Sequence, residues 1–207
     1  MHQRFPLPYR TPPGWAAGMA AHLPVLLVDQ AQLEKKAAAA AMSFLFRVPV
    51  EHDVHRALSA LAREELLHFE RTLRLLQQRR IALAPLPPAP YAERLKQKVA
   101  ATMPARLCDE LLVSAVIEAR SHERMALLAG ALQPVDAEVA AFYADLVEAE
   151  GRHQAVYLEV ALQVFPAAAV TSAWQALAAH EAVVLAQLPW LPRLHGGLET
   201  VARHDGV

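Results

Sequence analysis

From Leu23 onward, apolar side chains return every three or four residues in four long stretches, the spacing that puts them on one face of an α-helix. Leu23, Leu27, Ala31, Ala38, Ala41 and Leu45 share a face of the first stretch, and Leu58, Leu61 and Leu75 a face of the second. Leu107, Leu111, Ala115 and Met125 do so in the third, and Val139, Phe142, Leu146, Tyr157 and Val160 in the fourth. No glycine interrupts residues 19–129, so prolines do the punctuation, since a proline breaks a helix except in its first turn. The pattern predicts helices over about Pro24–Arg47, His52–Arg79, Ala105–Leu128 and Asp136–Val164. A short piece near Tyr91–Ala100 and a fifth helix over about Thr171–Leu188 complete the expectation.

Each of the four long helices spans about 35 to 45 Å. Short joints around Pro49 and around Gly130 and Pro134 force antiparallel hairpins, whereas the proline-rich stretch between the second and third helices is long enough to cross a bundle. Two hairpins and one crossover are the connectivity of an all-α, ferritin-like four-helix bundle. One domain over residues 1–207 is expected, with a helical core over about 24–188 and an irregular tail over 189–207.

Composition narrows the chemistry. The chain is 55% apolar and carries one cysteine, Cys108, which alone forms no disulfide, thiolate zinc site or iron–sulfur cluster. Met1–Gly14 is polar and proline-rich and lacks the apolar centre of a signal peptide, and Val160–His180 is broken by Pro166 and several polar residues. A cytoplasmic protein with no membrane span is the expectation.

Two Glu-x-x-His motifs stand out, Glu65-Leu-Leu-His68 and Glu150-Gly-Arg-His153. Residues three apart on a helix face the same way, so both side chains reach one metal site. Composition alone yields about 0.7 such motifs by chance, but the context repeats: Glu34 precedes Glu65 by 31 residues and Glu118 precedes Glu150 by 32. All four elements lie near the middles of the helices, on their apolar faces. Four buried carboxylates repel one another unless cations neutralise them, and two divalent ions cancel four negative charges. A Glu from each of two helices plus Glu-x-x-His from each of the other two is the di-iron or di-manganese carboxylate pattern. Glu34, Glu65, His68, Glu118, Glu150 and His153 are therefore the expected metal ligands; the thiolate-free donor set suits iron or manganese, though ligand type alone does not exclude zinc or copper.

Other polar residues read more plainly. His122 is expected in core packing or behind the ligands, and Glu64, Glu70, Glu123 and Glu148 in solvent. Asp29 and Asp145 are candidates to orient the ligand histidines. Tyr143 and Tyr157 are expected in the core. His52, His55, His180, His195 and His204 receive no role.

The net charge of −1 conceals an uneven distribution. Arg71, Arg74, Arg79, Arg80, Arg94, Lys96, Lys98 and Arg106 face one acid, Glu93, between residues 71 and 106, a local net of +7 that leaves −8 for the remainder. Such a concentration is an electrostatic footprint for a nucleic acid, and Tyr91 is a candidate to stack on a base.

The segments VDQAQLEKKAAAAAMSFLFR (from Val28), LAREELLHFERTL (from Leu61), LLVSAVIEARSHERMALLA (from Leu111) and FYADLVEAEGRHQAVYLEVA (from Phe142) resemble the MiaE family of tRNA hydroxylases over about Gly14–Val164. Gln30, Leu33, His122 and Gly151 depart from the family's residues beside the ligands, which leaves pocket shape and local helix stability open. The resemblance implies a di-iron monooxygenase that uses O2 to hydroxylate the isopentenyl group of 2-methylthio-N6-isopentenyladenosine in tRNA. With one cysteine, electrons are expected from an external electron-transfer protein. The competing reading is a ferritin- or rubrerythrin-like iron oxidase or peroxide scavenger, and a third is a metal-stabilised binding module without turnover.

Overall fold

The computed structural model describes residues 5–50 and 54–198. It contains α1 (Gly14–Met19), a short 3-10 turn, α2 (Leu23–Leu45), α3 (His55–Gln78), α4 (Tyr91–Lys96), α5 (Ala105–Leu132), α6 (Ala137–Val164) and α7 (Ala167–Gln187). No strand occurs among the described residues. The expected start of the second helix at His52, like His204, lies outside the described residues.

Helix ends follow local chemistry. Pro24 sits in the first turn of α2, where its missing N–H costs nothing. Asp136 caps α6 by accepting from the Val139 amide at 3.1 Å, satisfying one of the unpaired N-terminal donors. Helix α5 runs past the expected end at Leu128, through Gly130, to Leu132. Burial of Leu128 and Leu132 outweighs the ~1 kcal/mol that a helical glycine costs. Helix α6 likewise continues unbroken through Gly151. Helix α7 starts at Ala167, directly after Pro166 and four residues before the expected Thr171.

Helices α2 and α3 pack as one antiparallel hairpin and α5 and α6 as the other. The hairpins join through α3 and α6 along a row of ion pairs: Arg152 to Glu64 at 2.6 Å, Arg71 to Asp145 at 2.8 Å, and Arg79 to Asp136 at 2.8 Å and Glu138 at 2.6 Å. These steps of about seven residues, running in opposite directions, fix the antiparallel register. On the other side α2 and α5 stand apart, and the crossover carrying α4 and the C-terminal tail cover the gap.

Two buried arginines of α5 tie these outer segments down. Arg120 donates to Glu181 of α7 at 2.8 and 3.0 Å and to the Tyr9 carbonyl at 3.0 Å, and pairs with Glu123. Arg124 donates to the Leu194 and Gly196 carbonyls at 2.7 Å and lies over the Trp15 ring. Burial and the charge of Arg120 bring its pKa down to about 10, so it stays cationic at neutral pH. The tail also binds α2, with Asp29 accepting from Arg193 at 2.9 Å and from the Leu194 amide at 3.0 Å. Gly197 is needed in this turn, because a Cβ there would stand 2.1 Å from the Leu188 carbonyl oxygen. Helix α1, absent from the sequence expectation, buries Trp15, Ala16 and Met19 in the same region.

Candidate metal centre and its cavity

Each of the four long helices contributes inward-facing acids. Glu34 comes from α2, Glu65 and His68 from α3, Glu118 from α5, and Glu150 and His153 from α6. All six are buried. Their donor atoms form two groups, Glu34/Glu65/His68/Glu150 and Glu65/Glu118/His153, within each of which the atoms lie within 4.8 Å of one another. The groups share Glu65, so one carboxylate faces both. The i,i+3 spacing on α3 and α6 points both histidines at the middle of the bundle, with ring centroids 5.6 Å apart.

Both rings turn Nδ1 toward the carboxylates. His68 Nδ1 is 3.8 Å from Glu34 and 3.7 Å from Glu65, and His153 Nδ1 is 2.7 Å from Glu65. Both Nδ1 atoms and both Glu65 oxygens are buried without a well-formed hydrogen bond, an arrangement that costs several kcal/mol unless another partner completes it. Burial, then the charge of neighbouring carboxylates, pushes Glu34 and Glu150 well above the usual carboxylate range and Glu118 up to about 7. Glu65 goes the other way: the closeness of the two histidines, His153 foremost, outweighs burial and holds its carboxyl below that range. Charge repulsion and unsatisfied donor atoms are both relieved by cations, so the donor set fits a di-metal site of hard or borderline ions.

A cavity of about 840 Å³ opens onto these carboxylates. It occupies the gap between α2 and α5, with Glu34, Glu65, Glu118 and Glu150 in its floor. Leu33, Ala37, Ala40, Val113 and Ile117 make its walls apolar. Lys36, Arg47, Lys96 and Arg106 line it nearer the surface, against Glu93 and Glu110. Its far end is closed by Ser121, Leu194 and His195. His195 is stacked on Tyr91 at 4.8 Å and contacts Ser121 Oγ at 3.3 Å. An apolar, mostly pre-formed cleft with a few polar groups is the usual form of a small-molecule site.

The sequence of this scaffold has known relatives. The profile of the family described as tRNA-(ms2io6A)-hydroxylase (MiaE) matches residues 3–196. The chain belongs to the MiaE family of tRNA hydroxylases. These are oxidoreductases that modify tRNA, and the helical bundle is their ferritin-like scaffold. The chain is 40% identical over 151 residues, 73% of its length and 72% of the relative's, to the tRNA 2-(methylsulfanyl)-N(6)-isopentenyladenosine(37) hydroxylase of Pseudomonas putida. It is 38% identical over 104 residues to the protein of the same name from Salmonella typhimurium, half of this chain but only 37% of that one. Among solved structures it is similar to a Synechococcus protein described as having aldehyde deformylating oxygenase activity. That match has a TM-score of 0.86 and 37% identity, covering 95% of this chain and 98% of the other.

Within this MiaE-family site the supporting residues differ from expectation. Neither Asp29 nor Asp145 orients a histidine: Asp29 holds the tail and Asp145 pairs with Arg71. Glu64 does so instead, lying 3.1 Å from His153 Nε2 while also accepting from Arg152. It lies off the motif's face of α3 but against α6, a neighbour invisible in the sequence. Gln30 donates to Glu34 at 2.7 Å from one turn earlier on α2, a spacing that sequence alone exposes. Glu123, expected in solvent, accepts from the Thr11 amide and hydroxyl. His122 contacts the Val147 carbonyl at 2.8 Å and belongs to the α5–α6 packing. Tyr157 lines the cavity with its hydroxyl buried, and Tyr143 packs against Phe142.

The eight basic residues do not form one surface. The crossover travels the length of the bundle, leaving Arg71, Arg74, Arg79 and Arg80 toward the C-terminal end of α3, about 35 Å from the N-terminal end of α5. Arg71 and Arg79 are engaged in the α3–α6 row. Lys96 and Arg106 line the cavity, with Lys98 close by in sequence, and Arg94 donates to the Gln187 carbonyl. Tyr91 is buried and bonded to Glu181 at 3.0 Å, which removes it as a surface stacking residue. No helix among the described residues is long and apolar enough to cross a membrane.

Proposed function

We propose that Glu34, Glu65, His68, Glu118, Glu150 and His153 hold two iron ions, and that the chain hydroxylates the isopentenyl group of 2-methylthio-N6-isopentenyladenosine in tRNA. The carrying observation is the junction of a six-residue carboxylate–histidine cluster with a cavity that is apolar along its walls and cationic at its rim. Bound iron supplies the activation of O2 that converts a C–H bond of the allylic methyl group into C–OH. Each turnover consumes one O2, two electrons and two protons and yields the hydroxylated nucleoside and one water. With Cys108 as the sole cysteine, the electrons come from an external electron-transfer protein.

The protein's part is placement and exclusion. Leu33, Ala37, Ala40, Val113 and Ile117 take the prenyl chain and keep bulk water from the reacting carbon. Gln30 and Glu64 hold Glu34 and His153 in orientation, the usual work of residues behind a metal ligand. Lys36, Arg47, Lys96 and Arg106 meet the RNA backbone, with Lys98 and Arg94 on the same crossover. Arg74 and Arg80 are left to a more distant part of the tRNA. A tRNA substrate makes the cytoplasm the site of action.

The test is to incubate reduced, iron-loaded protein with O2, reductant and tRNA from a strain lacking the hydroxylase, then digest and identify nucleosides by mass spectrometry. A hydroxylated nucleoside that disappears with Glu118→Ala supports the reading. Unmodified nucleoside beside rapid H2O2 turnover favours the peroxide-scavenging alternative. The apolar walls would also admit an aldehyde of the kind the Synechococcus relative's description names, and an aldehyde arm of the assay separates that second reading.

A further inference from the structure

Helix α2 ends in two phenylalanines with opposite fates. Phe44 is buried against Tyr157 and lies beneath the Arg47 guanidinium, 4.6 Å from its ring. Phe46 is 84% exposed, and Val50 and Met42, four residues to either side in sequence, are 84% and 44% exposed. A ring so displayed at the end of the helix has no packing role among the described residues.

We propose that Phe46 is a stacking platform for a nucleobase of a single-stranded RNA loop, the base adjoining the one whose side chain enters the cavity. This deepens the tRNA reading above and rests on it. The placement supplies the argument. Ser43, which lines the cavity at the surface, is three residues before Phe46, and Arg47, also in the lining, is the next residue. Phe46 therefore adjoins two residues of the cavity's outer end in sequence without itself lining the cavity. Arg47 is held there by Glu110 and by its bond to the Ser43 carbonyl, and Arg106 donates to the same Glu110 at 3.0 Å.

The floor carboxylates are buried, so an adenosine can present its substituent to them only by leaving the base stack. Its neighbour then loses a stacking partner, and an exposed aromatic ring beside basic side chains replaces it, the usual way proteins hold unstacked bases. The rim cations Lys36, Arg47, Lys96 and Arg106 outnumber Glu93 and Glu110, matching a phosphate backbone. The same charges argue against a second copy of the chain as the occupant, since a symmetric contact would bring two cationic rims together.

The experiment measures binding of an anticodon stem-loop RNA carrying 2-methylthio-N6-isopentenyladenosine, with 2-aminopurine placed on its 5′ side in one probe and its 3′ side in another. Phe46→Ala is expected to weaken binding about tenfold and to abolish the fluorescence change of one probe, with iron loading and Tm unchanged. Phe46→Tyr restores both, whereas Phe46→Leu, equally apolar but without a ring face, does not. Wild-type affinity in Phe46→Ala, or full rescue by Leu, overturns the proposal. So does a wild-type dimer that Phe46→Ala turns into a monomer, which would make a second copy the occupant. If the wild-type protein hydroxylates tRNA but Phe46→Ala binds normally, the stacking role alone falls. If the wild-type protein neither binds nor modifies the RNA, the tRNA reading falls with it.

Discussion

His195 offers a sharp thermodynamic test of how the tail closes the cavity. Its imidazole is buried between Tyr91 and Ser121, and burial, reinforced by the charges of Arg124 and Arg120, lowers its pKa from 6.5 to about 3. A histidine kept neutral when folded but free to protonate when unfolded makes the unfolded chain bind more protons below its ordinary pKa. Stability from this residue is therefore complete above pH 6.5 and falls as pH drops below it, levelling near pH 3. Well inside that window each pH unit costs about 1.4 kcal/mol, so on the order of 2 kcal/mol is lost between pH 6.5 and pH 4.5. His195→Gln fills similar space without titrating. Its stability is lower at pH 7.5 by the lost packing, but the difference from wild type shrinks by about 2 to 3 kcal/mol at pH 4.5, measured by urea unfolding at matched slopes. Carboxylates that titrate in both proteins cancel in this comparison. Parallel loss of stability in the two proteins would refute a neutral, buried His195.

Four further outcomes are expected. Glu64→Gln keeps the fold but weakens metal binding about 10- to 100-fold, read by competition with a chelator; unchanged affinity would remove Glu64 as the group that orients His153. Ile117→Trp fills the cavity wall and abolishes nucleoside hydroxylation while iron stoichiometry stays at the wild-type value; retained activity would move the substrate path elsewhere. Charge reversal at Lys96 and Arg106 weakens tRNA binding and flattens its salt dependence more than reversal at Arg74 and Arg80. Arg79→Glu mainly lowers Tm, because Arg79 is held in ion pairs with Asp136 and Glu138.

What was legible in the sequence was what chemistry forces to be local. A Glu-x-x-His pair on a helix has one spacing, and its repetition after Glu34 and Glu118 picks out all six clustered side chains. Prolines marked most helix limits for the same reason, a missing N–H. Where burial outweighed a local signal, as at Gly130, the helix ran on. The residues that escaped depend on partners distant in sequence. Glu64 reaches His153 only because α3 packs on α6, and His195 reaches Ser121 only because the tail folds back between Asp29 and Arg124. The basic run shows the converse: neighbours along the chain, Arg79 and Arg106 end at opposite ends of the bundle because the crossover between them is extended.

The central claim is that this carboxylate–histidine cluster uses O2 to hydroxylate a tRNA side chain, and isotope labelling tests it most directly. Reduced, iron-loaded protein is given 18O2 and tRNA carrying 2-methylthio-N6-isopentenyladenosine in unlabelled water, and the nucleosides are weighed by mass spectrometry. The expected product carries a single 18O in its side chain and forms only in protein with both metal positions filled. A hydroxylated product with its oxygen from water, or no hydroxylated product from fully loaded protein, would contradict the account.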